Sequence, residues 1–391
     1  MTQTPEPAAR PVPPPRRRAI TMWDFSWLLR RDHDENEYAD VDAVLDQLAE
    51  RGYDVVRIDA FPHWIAADDR GVRVEDVQAL PQTDTFMWGN HRPVTVQPRA
   101  ALLDFLTGLR ARGLTAALST WFTPDATGRS EQVRTPGDLA RVWTETLDTI
   151  RDAGLLDTVE WVDLCNEWPL FVPSLHRAVC PAEDDAADGK YRSWTDAEVA
   201  RADTFADAVR RTKAAHPTVP ITLSYCTRGS ELPSADDCMR LDTAAYDFTE
   251  LHLWLSSVQE FVDETSFPNA YRETSQLAVH QRQVTALLDR RSGQWTGELA
   301  GLMDRWKAWA DERGLPVWTT ECWASVFWNP ELPEAGPDPW RFVRESAETA
   351  VPMAVEKGWT GIATSNFSQP HHAGMWADAA WHRRMNDIVH G

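Results

Sequence analysis

ERGYDVVRID (residues 50–59), ARGLTAALST (111–120), DAGLLDTVEWVDL (152–164), ERGLPVWTT (312–320) and EKGWTGIATS (356–365) repeat one pattern along the chain. In each, the end of an amphipathic helical stretch reaches a glycine through a short, mostly charged step and then enters a run of strand-forming residues. Gly52, Gly113, Gly154, Gly314 and Gly358 stand where a helix C-cap needs positive φ before the chain turns. The preceding segments carry helical spacing: Val41, Val44, Leu45 and Leu48 after Asp40, and Leu139, Val142, Trp143 and Thr146 after Thr135-Pro136. ITMWDF (20–25), ITLSYC (221–226) and FTELHLW (248–254) supply the remaining strand candidates. Eight strands alternating with helices predict a single (β/α)8 TIM barrel with long βα loops. A doubly wound sheet is the competing architecture, but no Gly-rich phosphate turn follows the first strand.

The 391 residues are 43% hydrophobic and 25% charged, enough to bury a sizeable core. Residues 1–18, MTQTPEPAARPVPPPRRR, read as a disordered Pro/Arg-rich tail. No linker divides residues 19–391, which are read as one barrel domain whose longest loops fall near 60–100, 168–195 and 255–295. A net charge of −21 argues against nucleic acid and anionic membranes as partners. No stretch approaches the roughly 20 apolar residues of a membrane helix. Five cysteines, Cys165, Cys180, Cys226, Cys238 and Cys322, show no CxxC spacing, so neither a disulfide framework nor a zinc ribbon is indicated. A reducing compartment fits, and the apolar run after the arginine triplet is broken by Asp24 with no small-residue cleavage site behind it. The expected location is the cytoplasm. Tryptophan is abundant, 20 against 13 Phe and 6 Tyr, and flat rings with an N–H donor suit sugar faces as well as cores.

Strand parity sorts inward from outward residues, since alternate positions face the helices and should be apolar. Val56 and Ile58 face the helices, so Arg57 and Asp59 point inward. Val162 and Leu164 face out, which leaves Trp161, Asp163, Cys165 and Glu167 inside. Leu251 and Leu253 face out, and Glu250, His252 and Trp254 face in. Around WTTECW the parity is ambiguous, though Glu321 still closes its strand. Charges converging on one interior must be paired.

Asn166-Glu167 closing strand four and Glu321 closing strand seven resemble the retaining glycoside hydrolases of clan A, the barrel superfamily with the cellulase-like family 5. Arg57 in VVRID and His252 in LHLW support the resemblance, which spans Trp23 to Phe367. It implies a carbohydrate substrate, no cofactor and no metal. Glu167 would be the general acid/base with a raised pKa, Glu321 the nucleophile held ionised by Arg57, and Asn166 the donor to the sugar 2-hydroxyl. Asp24 and Asp59 are candidates for hydroxyl recognition or for support of Arg57. Trp23, Trp64, Trp88, Trp121, Trp168, Trp254 and Trp323 are candidates for sugar contact, only three or four of them expected to reach it. The sequence also departs from the cellulase pattern. Trp254 stands where His-x-Tyr would place a phenol, with Tyr225 a substitute for it. Trp121 stands where a histidine is frequent, and Asn366-Phe367 replace a tryptophan platform.

Without a secretion signal, small imported oligosaccharides or glycosides and exo-action are favoured. Two other readings stay open. One is a metal-dependent barrel hydrolase or isomerase using His33, Asp59, His63, His252 and His371-His372. The other is a sugar-binding barrel without catalysis.

Overall fold

A computed structural model describes residues 16–31, 36–82, 88, 90–172, 193–226, 234–267 and 274–391. The chain forms a (β/α)8 barrel. Its strands are β1 (Arg18–Asp24), β2 (Val55–Asp59), β3 (Thr115–Ser119), β4 (Val159–Asp163), β5 (Ile221–Thr222, resuming as Ser224–Cys226), β6 (Thr249–Trp254), β7 (Val317–Thr319, resuming as Cys322–Trp323) and β8 (Gly361–Ala363). Every neighbouring pair is parallel, and the ring closes where Ser224, Tyr225 and Cys226 pair with Glu250, Leu251 and His252.

The helices between them are α1 (Val41–Glu50), α2 (Pro98–Ala111), α3 (Pro136–Asp152), α4 (Ala206–Ala215), the single turn α5 (Ala235–Cys238), α6 (Thr274–Glu312), α7 (Arg341–Glu356) and α8 (Ala379–His390). The five glycines that decided the fold have φ of 78, 68, 70, 67 and 72°, as a helix-ending turn requires. Asp40 caps α1 by accepting from the Ala43 N–H. Thr135 and Asp138 form a reciprocal capping box on α3, with Pro136 in its first turn.

Residues 274–295, expected in a loop, belong to the 39-residue α6. Leu277, Val284, Leu288, Trp295, Leu299, Met303 and Trp306 make one buried stripe on it. The loop after β2 carries a one-turn helix, Pro62–Ile65, and an antiparallel hairpin pairing Val77–Ala79 with Val94–Val96. Most of the expected loop 168–195 lies outside the described residues, as do nearly all of the tail, Cys180 and His33. Arg18 already belongs to β1, and its guanidinium bridges to Glu160 at 2.7 Å. The described cysteines are buried. No described helix is long and apolar enough to cross a membrane.

At one end the barrel is plugged by Trp161, Phe248 and Trp318, whose rings meet at 5.1 to 6.1 Å. The Trp318 ring lies so close over Gly361 that a Cβ there would fall 1.8 Å from a ring carbon. This resolves the ambiguous strand: Trp318 and Thr320 face the interior, Thr320 bonding inward to Glu250. At the other end the interior is polar.

Candidate active site

Arg57, fully buried on β2, is the hub. One guanidinium nitrogen donates to Glu321 at 2.9 Å, and another reaches Asp163 (2.9 Å), Ser119 (3.0 Å) and Asn166 Oδ1 (2.5 Å). Burial opposes its charge, but Glu250, Asp163 and Glu321 outweigh that and raise its pKa. Parity puts Arg57 here: Val56 and Ile58 take the helix side, and the odd position reaches the axis.

His252 is the second cation. Its Nε2 lies 3.0 Å from Glu250, and its Nδ1 lies 3.1 Å from Glu167 and 3.6 Å from Glu321. Burial works against the imidazolium, but Glu250 and then Glu321 overcome it and raise the pKa to about 10. Glu250, also bonded by Thr320, is held below the ordinary carboxylate value: burial acts upward, and His252 and Arg57 outweigh it. Glu321 moves the other way. Burial pushes its carboxyl up, Glu167 adds to that, and His252 and Arg57 only partly offset the rise. Arg57 acts on Glu321 in the expected direction, favouring the ionised form, but desolvation is the largest effect and the net direction is upward.

Glu167 sits just beyond β4 with φ of 49°, its N–H held by Ser224 Oγ at 2.8 Å. Ser224 in turn donates to Asp163 at 2.8 Å. One oxygen of each carboxylate and one His252 nitrogen lie within 4.8 Å of one another. Both carboxylates are nearly closed off, Glu167 4% and Glu321 6% exposed. Trp121, partly exposed, lies with its ring 4.8 Å from the Arg57 guanidinium carbon. Trp254 stands edge-on to His252 at 5.7 Å.

Other candidates fall elsewhere. Tyr225 faces the helix layer, stacked on Trp306 at 6.0 Å, because Thr222, Ser224 and Cys226 take the inward parity of β5. It therefore does not replace the missing phenol. Trp23 packs on Tyr38, Phe105 and Trp376 in the outer layer. Trp64 stacks on Phe61 at 4.4 Å, Trp168 meets Phe205 at 4.6 Å, and Trp323 donates to the Ala363 carbonyl beside Trp359. These four rings build the frame. Asp59 accepts from the Phe61 and Trp121 N–H groups at 2.7 and 3.0 Å, so it fixes the Trp121 turn. Asp24 and Asn366 end β1 and follow β8, both buried. Ser119 and Ser224 were not singled out in the sequence, although both lie on the inward parity of their strands.

The proposed histidine metal set does not assemble among the described residues. His63 Nε2 bonds the Thr123 carbonyl oxygen at 2.9 Å, and His371 Nδ1 lies 3.2 Å from the Tyr38 hydroxyl. The group whose geometry could hold a cation is Glu167, His252 and Glu321.

Removing Arg57 should be costly, since it leaves Asp163 and Glu321 buried without their partner. Arg57→Met is expected to lose about 3–5 kcal/mol of folding stability, read from the urea unfolding midpoint. A shift equivalent to less than about 1 kcal/mol would contradict the charged network described.

A family model described as cellulase-like, sugar-binding cellulase-like, matches residues 20–390. Among solved structures, a protein of Parabacteroides distasonis ATCC 8503, provisionally assigned as a glycoside hydrolase, is 29% identical. The match covers 96% of this chain and 94% of that one with a TM-score of 0.78. Weaker likenesses include the endo-beta-1,4-mannanase of Thermotoga petrophila (10% identity, 95% and 77% covered, TM-score 0.49). Another is the cellulose synthase subunit Z of Clostridioides difficile (11% identity, 95% and 99% covered, TM-score 0.49). No curated protein matches the chain.

Proposed function

The chain belongs to the cellulase-like family, and from that premise we propose that it is a retaining glycoside hydrolase acting on the terminal sugar of small oligosaccharides or glycosides. The observation that carries the reading is the close approach of Glu167 and Glu321, with His252 sharing the same 4.8 Å cluster. Double displacement wants two carboxyl groups about 5–5.5 Å apart, whereas an inverting pair leaves about 6.5–9.5 Å for a water.

Glu321 attacks the anomeric carbon while Glu167 protonates the departing oxygen; a water deprotonated by Glu167 then cleaves the glycosyl ester. The charge balance favours one proton shared by the pair, which both roles require. Arg57 and His252 face Asp163, Glu250, Glu167 and Glu321, so full ionisation would leave a buried excess of negative charge. A proton kept on one member of the reacting pair relieves it. Arg57 also bonds Asn166 Oδ1, which leaves Nδ2 without a protein partner and able to donate to a sugar hydroxyl. The slight exposure of both glutamates supports a pocket for a chain end over an open cleft, and so exo-action.

A metal centre on the same three residues is the second reading. It would need His252 neutral, since a protonated ring cannot ligate, and Glu250 opposes that. Hydrolysis of aryl glycosides by protein dialysed against EDTA is expected to proceed at an unchanged rate. Proton NMR should show the first-formed sugar in the anomeric configuration of the substrate. An inverted first product would overturn double displacement. Activity lost to EDTA and restored by zinc would move the assignment to the metal reading.

A further inference from the structure

Five polar atoms on one side of the barrel mouth are buried without a protein partner. Asp24, 2% exposed, accepts the Ser26 N–H with Oδ1, but its Oδ2 has none. Neither amide atom of the fully buried Asn366 has one. Gln369 donates from Nε2 to the Asn366 carbonyl at 2.8 Å, leaving Oε1 without a partner. The Trp88 indole N–H is the fifth.

These residues are wired together and to the reacting pair. The Asn366 N–H donates to the carbonyl of Cys322, the residue after Glu321, at 3.1 Å. The Trp88 ring stacks on Phe367 at 5.8 Å, and its carbonyl accepts from Ser26 Oγ. Gln369 and Glu321 are both close enough to Asp24 to act on its charge, and burial above all pushes that carboxyl to about 7. Ser26 and Gln369 act the other way and only partly offset that burial.

One stranded polar atom could be a packing fault, because each costs about 1–3 kcal/mol. A contiguous set holding three acceptors and two donors beside the reacting carboxylates matches a polyol, whose hydroxyls both give and accept. The acceptors outnumber the donors and one of them is a carboxylate, so the wall suits hydroxyls and repels an acidic sugar.

We propose that Asp24, Asn366, Gln369 and Trp88 form the subsite that recognises the hydroxyls of the terminal sugar, selecting a neutral sugar over a uronic acid. The proposal rests on the glycosidase reading and deepens it by naming the substrate class. Asp24 Oδ2 accepts from the sugar, Asn366 both accepts and donates, and the Trp88 indole donates from the rim.

Asp24→Asn isolates the decisive atom, since Asn keeps an acceptor for Ser26 while replacing Oδ2 with a donor. The probes are 4-nitrophenyl β-D-glucopyranoside, β-D-mannopyranoside and β-D-glucuronide, with monodeoxy analogues of the neutral pair. For the better neutral substrate, KM is expected to rise about 10- to 100-fold in the variant, the size of one lost charge-assisted hydrogen bond, with a much smaller change in kcat. Deleting one particular hydroxyl should cost the wild type the same factor and cost Asp24→Asn little more. The glucuronide should be the poorest wild-type substrate. An unchanged KM, an equal loss with every analogue, or a glucuronide cleaved as well as the glucoside would each overturn the proposal. If the wild type cleaves none of the three, the glycosidase reading loses support. The subsite is then decided separately by tryptophan-fluorescence titration with D-glucose and D-mannose. Weaker binding by Asp24→Asn upholds it, and equal or absent binding overturns it. Asn366→Ala, followed by the same titration, guards against misfolding of the first variant.

Discussion

Glu167→Ala is expected to slow cleavage of natural glycosides by about 10²–10⁴-fold, the usual size of a general-acid contribution. On a 2,4-dinitrophenyl glycoside the first step should change little, because that phenolate leaves without a proton. The second step still needs a base to activate water, so the glycosyl-enzyme should build up on Glu321 and a burst of phenolate should precede a slow steady state. Azide attacks the intermediate without a base. It should restore turnover and yield a glycosyl azide with the anomeric configuration of the substrate. Azide without effect, or an inverted azide, would remove Glu167 from the acid/base role. In the folded protein the Glu167 N–H is fixed by Ser224 and its carboxylate meets His252 at 3.1 Å. Truncation to Ala therefore removes the carboxyl group while leaving the backbone bond that holds this turn.

Glu321→Gln is expected to remove turnover, with a fall of at least about 10³-fold, since an amide cannot form the glycosyl ester. Gln retains a carbonyl oxygen for the Arg57 bond of 2.9 Å, so circular dichroism and the unfolding midpoint should stay near wild type. A variant that keeps more than a few per cent of the wild-type rate would place the nucleophile elsewhere.

Much of this arrangement could be read from the sequence because it follows from backbone rules. The glycine after each helix marks a turn that only positive φ completes, and the five such turns in the structure fall on those glycines. Alternation placed Arg57, Asp163, Glu250 and His252 inside, where they pair as buried charges must. The same alternation, applied to ITLSYC, would have turned Tyr225 outward: Ile221, Leu223 and Tyr225 form its apolar set. The tryptophans were the hardest to place. Trp23 and Trp121 both close strands, yet one packs between helices while the other covers Arg57. Residues 274–295 carry their buried apolar positions 7, 4 and 7 apart, a helical spacing, with Gly293 inside the helix. The partnerless wall of Asp24, Asn366 and Gln369 depends on contacts between β1 and the segment after β8, more than 340 residues apart in sequence, and no local pattern reports them.

The central claim is that Glu321 forms a covalent bond to the sugar. Incubation with 2-deoxy-2-fluoroglycosyl fluorides of the gluco and manno series, followed by peptide mass spectrometry, tests it most directly. The fluorine slows both steps and the fluoride leaves readily, so the intermediate should persist. One fluorosugar is expected on the peptide that carries Glu321, absent from Glu321→Gln and released when a natural glycoside acceptor is added. A label on any other carboxylate, or an active enzyme that is never labelled, would contradict the account.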